Sequence, residues 1–351
     1  MTILRVLVVG DPFMAADVFE RALKDVDGIV VSSIQISRTD CEPPRTESES
    51  RLREYAGDPA MVVAAAAQCD VIVVHGAPVS AQVLALPDLQ LVCCARGGPV
   101  NVDVAAATAL GIPVVNSPGK NARAVAELTV AFSLLLLRRI PKSVRYLLDG
   151  GALAESAFEG RDFFGREASD SVLGLVGLGH VGREVAELAN RLGMKVLGYD
   201  PYAPAPAIDG VELVELDNLL ARSDIVSLHA RETGDNRRFF NAQLIARMRS
   251  GSALINTARE ALVDEDALLV AIRSGHLSGA ALDVVENSSS SRHPLLDEPS
   301  VVITPHLGGA TDETLERGAA MVASAVRALV NGEPLPYLVN PTYGDTVVSV
   351  S

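Results

Sequence analysis

The chain has 351 residues, 48% hydrophobic and 21% charged, which is enough apolar material for two globular domains. Its formal net charge of -14 at pH 7 repels phosphate backbones and so excludes nucleic acid as a partner. An anionic small molecule would need a local cluster of basic side chains.

Val6 to Val9 reads as a strand ending at Gly10, followed by a helix through Phe19 and Leu23. Residues 39–59 are polar and rich in Pro, Ser, Glu and Arg, and read as a loop. Val71–Val74, Leu89–Val92 and Pro113–Val115 read as further strands. A long apolar helix is expected over 122–138, then an irregular stretch over 149–170. A second series of alternating strands and helices runs from Val172 to about Thr304, and an amphipathic helix from Thr311 to Val330. Pro334 and Pro336 keep the tail out of helix. Ser288–Ser291 reads as a loop.

No helix candidate can span a bilayer: the most apolar one, Ala124–Leu137, is too short and carries Glu127. The N-terminus shows no signal-peptide pattern. Cys41, Cys69, Cys93 and Cys94 form no CxxC pair and no disulfide framework, so reduced thiols and a cytoplasmic location are expected. Cys93 and Cys94 are expected to point to opposite faces of one strand and pack in the core. No metal site is expected.

The most informative motif begins at the strand Val172–Val176. It runs at once into Gly177-Leu178-Gly179-His180-Val181-Gly182, then into a helix closed by Gly193, then into a strand that ends at Asp200. A glycine triplet alone is weak evidence. Strand before, helix after and an acid about 20 residues on make the full dinucleotide fingerprint. Gly177 permits the tight turn, Gly179 lets a pyrophosphate approach the backbone, and Gly182 lets the helix pack closely. Asp200 suits the adenosine ribose, and its carboxylate repels a 2′-phosphate, so NAD is expected over NADP.

With the fingerprint this far into the chain, a complete sheet domain precedes the cofactor domain. This order resembles the D-2-hydroxyacid dehydrogenases, which include phosphoglycerate, glyoxylate and formate dehydrogenases. The resemblance is carried by Gly177–Gly182, Leu254–Arg259, Gly279–Val284 and Thr304–Gly309, and covers nearly the whole chain. It implies two Rossmann-like or flavodoxin-like α/β domains. An NAD-binding domain, 120–306, is inserted into a discontinuous substrate domain, 1–119 and 307–351. It implies that Arg259 binds the substrate carboxylate, that His306 is the general acid–base, and that hydride passes between nicotinamide and C2. A guanidinium fork matches a carboxylate, and a histidine titrates near neutrality. It further implies cofactor contacts from Gly177, Gly179, His180, Val181, Gly182, Asp200, His229, Thr257, Asp283 and Gly308.

The sequence departs from the pattern in two places. The family's glutamate partner of the histidine falls at Ser288, and Glu286 is the nearest carboxylate. Either Glu286 reaches His306 by another route, or no carboxylate pairs with it. Glu260 also stands where the family has glycine. On the substrate side, Arg96-Gly97-Gly98-Pro99-Val100-Asn101 holds the place of the family's carboxylate-binding loop. It is shorter, and Pro99 removes an amide donor. Arg96, Gly97 and Gly98 are the candidate substrate contacts there. Arg96, Lys120, Arg123 and Arg231 are candidates for a second anionic site such as a phosphate.

The expected ligand is therefore a small anionic 2-hydroxy or 2-keto acid, phosphorylated or sugar-derived acids among them. A homodimer is expected through the 122–138 helix and the loop to about 170. The alternative function is an NAD(H)-sensing scaffold of the corepressor kind on the same fold.

Overall fold

Leu4–Gly10 (β1) is apolar on both faces, a pattern that only a strand covered on both sides can hide. Val71–Val74 (β3), Leu91–Cys94 (β4) and Val114–Val115 (β5) share that character, whereas Ile29–Gln35 (β2), at the edge of the sheet, is half exposed. The computed structural model describes residues 3–37, 44–151, 163–202, 208–286 and 292–347. The chain divides into two compact units, Met1–Lys120 with Thr311–Ser351, and Asn121–Ala310.

In the first unit all five strands are parallel, in the order β2-β1-β3-β4-β5. Side chains alternate between the faces. Leu7, Val9, Ile72, Val74, Val92 and Cys94 face one way, against α3 (Pro59–Ala66), α4 (Ala81–Leu84) and α5 (Val104–Ala109). Val6, Val8, Val71, Val73, Leu91 and Cys93 face the other way, against α1 (Ala16–Leu23). The adjacent cysteines thus lie in opposite cores, and burial pushes the Cys93 thiol up out of reach and the Cys94 thiol up to about 11. The returning helix, Asp312–Asn331, completes the second face with Ala319, Val322, Ala323 and Val326. Thr311 caps its start and Gly332, at φ 67°, its end. The tail then lies along β5: Leu338 bridges Val115, and the Val339 amide donates to the Val114 carbonyl at 2.8 Å.

In the second unit seven strands, all parallel, take the order β12-β11-β10-β9-β6-β7-β8. They are β6 (Val172–Val176), β7 (Lys195–Tyr199), β8 (Val211–Leu213), β9 (Ile225–Leu228), β10 (Ala253–Asn256), β11 (Gly279–Leu282) and β12 (Val301–Ile303). The order reverses between β6 and β9, the topological switch point of a doubly wound sheet. The helices α6 (Ala122–Leu137) and α8 (His180–Arg191) cover one face. The helices α9 (Leu216–Arg222), α10 (Ala242–Arg247) and α11 (Glu265–Arg273) cover the other.

Three local features differ from the sequence reading. The polar stretch over 39–59 holds a short helix, α2 (Glu47–Arg51), capped by Thr46. The strand read from Leu89 begins at Leu91 (β4), because Leu89 belongs to a turn in which its amide donates to Leu86. A helix not anticipated, α7 (Ile140–Leu148), follows α6 after Arg139 turns the chain at φ 52°. Its Pro141 sits in the first turn, where a missing N–H costs nothing. The readings at Cys41 and Ser288–Ser291 lie outside the described residues. Among the described residues no helix is long and apolar enough to cross a membrane.

Asn340 fastens the tail to the first unit. Buried, it accepts from the Val114 amide (2.8 Å) and donates to Thr108 Oγ1 (3.1 Å) and the Ile112 carbonyl (2.9 Å). Asn340→Ala leaves a buried amide and carbonyl unpaired and is expected to cost about 2–3 kcal/mol. Urea unfolding followed by a probe in the first unit checks this; an unchanged midpoint would refute it.

Candidate active site

Parallel strands place all their carboxyl ends on one edge, where the chain must turn away and ligands can be met. In the second unit that edge carries Gly177 after β6, Asp200 after β7, His229 after β9, Thr257 and Arg259 after β10, Asp283 after β11 and His306 after β12. All the candidate residues expected of the cofactor domain and described by the structure therefore lie along one sheet edge or in the turns that leave it.

The glycine turn has the constraints the motif predicts. Gly177 sits at φ 100°, and a Cβ there would meet the backbone of His229 at 2.7 Å. A Cβ on Gly182 would stand 2.2 Å from the Gly177 carbonyl oxygen, so α8 can approach the sheet only with glycine there. A Cβ on Gly179 would meet nothing within 4 Å. Gly179 is the exposed N-cap of α8 and brings no side-chain cap, so the first amides of the helix, at His180, Val181 and Gly182, are left without a side-chain acceptor at the positive end of its dipole. Asp200 closes the turn, accepting from Leu178 N (2.8 Å) and Tyr202 N (2.9 Å). An uncapped helix start, an open glycine face and a carboxylate beside them fit the pyrophosphate and ribose of a dinucleotide.

Asp283 is almost wholly buried, at 1% exposure. Its carboxylate accepts from Thr304 Oγ1 (2.6 Å), Leu307 N (2.6 Å) and Gly308 N (2.7 Å). The His306 amide donates to the Asp283 carbonyl at 3.0 Å, and His306 itself takes φ 59°, an uncommon left-handed conformation for a residue with a side chain. The turn thus presents the imidazole outwards, and the ring has no hydrogen-bond partner among the described residues. Gly308 is required there, since a Cβ would lie 2.9 Å from Asp283 Oδ2. Its amide and three of the carboxylate's acceptor positions are spent on this turn.

The loop after β10 is braced in the same way. Asn256, buried, accepts from Ala258 N (3.0 Å) and donates to the Arg259 carbonyl (2.8 Å). Arg259 is exposed and bonds only the Ala258 carbonyl (2.7 Å), with no ion pair among the described residues. Thr257 Oγ1 shares a hydrogen bond with Thr129 Oγ1 of α6 at 3.1 Å. His229 Nε2 lies 2.9 Å from Ser227 Oγ, and burial pushes its imidazole down to about 4, so it stays neutral.

Glu286 is not brought to His306. Its carboxylate lies at the surface on Arg238 (2.9 and 3.0 Å), and its amide donates to Glu265 (2.8 Å). Glu265 also holds His293 Nε2 at 2.7 Å, a pair that no motif announces. Ser288 lies outside the described residues.

In the first unit Arg96 donates to the Glu54 carbonyl (2.6 Å) and to its carboxylate, so its charge is already matched. Gly97 and Gly98 have room around them: a Cβ on Gly98 would meet nothing within 4 Å, and one on Gly97 only the Ser117 carbonyl, at 4.0 Å. Asn101 is fully buried and ties the loop to β3 by donating to the His75 (3.1 Å) and Ala77 (2.7 Å) carbonyls. The same edge holds a cluster that sequence reasoning left without a role: Asp11, Phe13 and His75. His75 Nδ1 lies 3.1 Å from the Asp11 carboxylate, and the two rings stack with centroids 4.9 Å apart. The available signal was their position, each just past the end of a strand. Among the described residues no group of side chains could hold a metal ion.

Residues 130–308 match the model of the D-isomer specific 2-hydroxyacid dehydrogenase NAD-binding domain. A D-3-phosphoglycerate dehydrogenase of Mycobacterium tuberculosis is 39% identical over 283 residues, which is 80% of this chain and 52% of that protein. One from Methanocaldococcus jannaschii is 36% identical over 276 residues, 77% of this chain and 52% of the relative. This chain therefore spans about half the length of the curated relatives it matches. A solved protein of Thermus thermophilus superposes with a TM-score of 0.76 at 30% identity, covering 96% of this chain and all of that one. With that match over the glycine turn, the arginine loop and the histidine turn, the chain belongs to the D-isomer specific 2-hydroxyacid dehydrogenase family and carries its NAD-binding domain.

Proposed function

We propose that the protein is an NAD-dependent dehydrogenase acting on a small 2-hydroxy acid, with the second unit as cofactor domain and the first as substrate domain. The supporting observation is that the glycine turn, the loop bearing Arg259 and the Asp283-held turn bearing His306 share one edge of one parallel sheet. When bound, NAD supplies the hydride acceptor. Arg259 offers unspent guanidinium donors to the substrate carboxylate and polarises the C2 oxygen. His306 takes the hydroxyl proton in oxidation and returns it in reduction, which its outward turn and unpartnered ring suit. Asp283, spent on the turn, acts as a positioning residue for His306. Its contact with the cofactor carboxamide would come only through its remaining lone pair. Gly97 and Gly98 give the substrate domain open backbone for a carboxylate.

Purified protein is expected to oxidise NADH, in preference to NADPH, with one or more acids from a panel of glyoxylate, hydroxypyruvate and longer sugar-derived 2-keto acids with and without phosphate. Arg259→Ala should lower kcat/KM by about 100-fold or more, the loss of a charge-assisted contact made in the transition state. Tight NADH binding with no turnover across the panel would defeat the dehydrogenase reading.

The ion pair with Arg238 keeps Glu286 away from His306, so Glu286→Gln is expected to leave both limbs of the pH–rate profile in place. Movement of the limb that reports the histidine would show instead that the carboxylate swings to it.

We further propose a homodimer built on α6 and α7. α7 buries none of its side chains within the chain, yet presents Ile140, Val144, Tyr146, Leu147 and Leu148 to solvent. Sedimentation at micromolar concentration should give twice the chain mass; a monomer would exclude this.

A further inference from the structure

The basic residues singled out in the sequence have different fates. Arg96 is neutralised by Glu54, and Arg123 by Glu127 and Glu184. Lys120 is not neutralised. It is 7% exposed, and its Nζ has no hydrogen-bond partner among the described residues. Its stem is fixed: the methylenes lie against Gly318, where an added Cβ would come within 2.9 Å of Lys120 Cδ. Its carbonyl accepts from Arg317 Nε at 2.8 Å. The ammonium therefore does not swing out to water as surface lysines do.

The surroundings of Nζ are defined. It stands 6.0 Å from the centre of the Phe13 ring, which stacks on His75. His75 in turn is held by Asp11, whose carboxylate also accepts from Phe13 N (2.8 Å), Met14 N (2.9 Å) and Gly76 N (2.6 Å). The charged and titratable groups facing the amine are Asp11, His75, Arg96 and Cys94. Asp11 is committed to three amides and His75, and Arg96 to Glu54. Burial lowers the His75 pKa, so the imidazole adds no charge beside the lysine, and the one other cation that faces it, Arg96, is already paired with Glu54. Burial also pushes the lysine amine down to about 8. At neutral pH the site thus holds a mostly charged group with three donors and no acceptor, a costly arrangement that an oxyanion would relieve.

We propose that Lys120, walled by Phe13 and His75 at the carboxyl ends of β1, β3 and β5, is an oxyanion-binding residue that receives a carboxylate or phosphate oxygen of the substrate. That the anion belongs to a substrate rests on the dehydrogenase reading; that an oxyanion binds there rests on the first unit alone. With Nδ1 turned to Asp11, His75 Nε2 is left to accept from a hydroxyl, so the favoured ligand carries hydroxyl and anion close together.

Sulfate and acetate serve as probes, since both keep constant charge from pH 6 to 10. The side-chain nitrogen of Lys120 is followed by NMR in the whole ¹⁵N-lysine-labelled protein and identified by its loss in Lys120→Met. The bound form is the ammonium, so affinity is full below about 8 and falls about tenfold per pH unit above it, until the raised pKa of the complex is reached. A probe that binds should raise the lysine pKa, and Lys120→Met should bind it about tenfold or more weakly by calorimetry with an unchanged thermal melt. Preference for sulfate assigns a phosphate, and preference for acetate a carboxylate. Should the variant not fold, the wild-type titration decides alone. A lysine titration indifferent to both anions, or equal binding by a folded Lys120→Met protein, overturns the proposal. A lysine that responds in a protein with no 2-keto acid turnover would instead fault the dehydrogenase reading and leave the anion site standing.

Discussion

The organisation of the second unit's sheet edge depends on one buried carboxylate. Asp283 sits out of water, where an isolated charge would cost several kcal/mol, and is stabilised by two backbone amides and one hydroxyl from a single turn. Those bonds close the turn between β12 and the following chain and leave His306 in a backbone conformation that an unconstrained histidine rarely takes. The direction of the imidazole is therefore set by a strand-end acid rather than by a partner on the ring. Asn256 does the same for Arg259 one strand away, with an uncharged side chain. On both loops the group with free donors or a free ring is exposed, and the group that fixes it is buried.

Legibility from sequence followed the range of the interaction. Gly177, Gly179, Gly182 and Asp200 could be placed from spacing alone, because a turn of that shape is a local constraint on backbone and Cβ. Most of the parallel strands were legible because doubly buried strands read as continuous apolar runs; β2, half exposed and carrying Ser32 and Ser33, escaped. What escaped needed long-range information. Glu286 stands near the expected glutamate in sequence, but Arg238, far back in the chain, holds its carboxylate. The Glu265–His293 pair joins two segments with no motif between them. The start of β4 escaped because Leu89 is as apolar as Leu91, and only the turn at Leu86 separates them.

The first unit shows how the same edge geometry can hold charge in two ways. Arg96 lies where an anion could be met, yet Glu54 on a neighbouring loop satisfies it, and that stretch of edge is electrically closed. Asp11 is satisfied by amides, and it fixes the tautomer of His75 as it does so. Lys120 alone of these groups combines burial with an empty coordination sphere. A strongly acidic protein can therefore present a positive point without any excess of basic residues, because what matters is which charges are left unpaired.

The path of the chain has a consequence for how the protein is made. The first unit is interrupted: β1, β3 and β4 expose one apolar face that is covered by the helix 312–331, the second unit lying between them in sequence. During synthesis the face of Val6, Val8, Val71, Val73 and Leu91 must wait with only α1 against it while nearly two hundred residues are translated, on the order of 10–40 s at ordinary elongation rates. The second unit is continuous and can fold as it emerges. The unfinished sheet is for that interval an aggregation-prone surface, so the yield of this protein in a cell depends on what shields that face until the helix 312–331 leaves the ribosome.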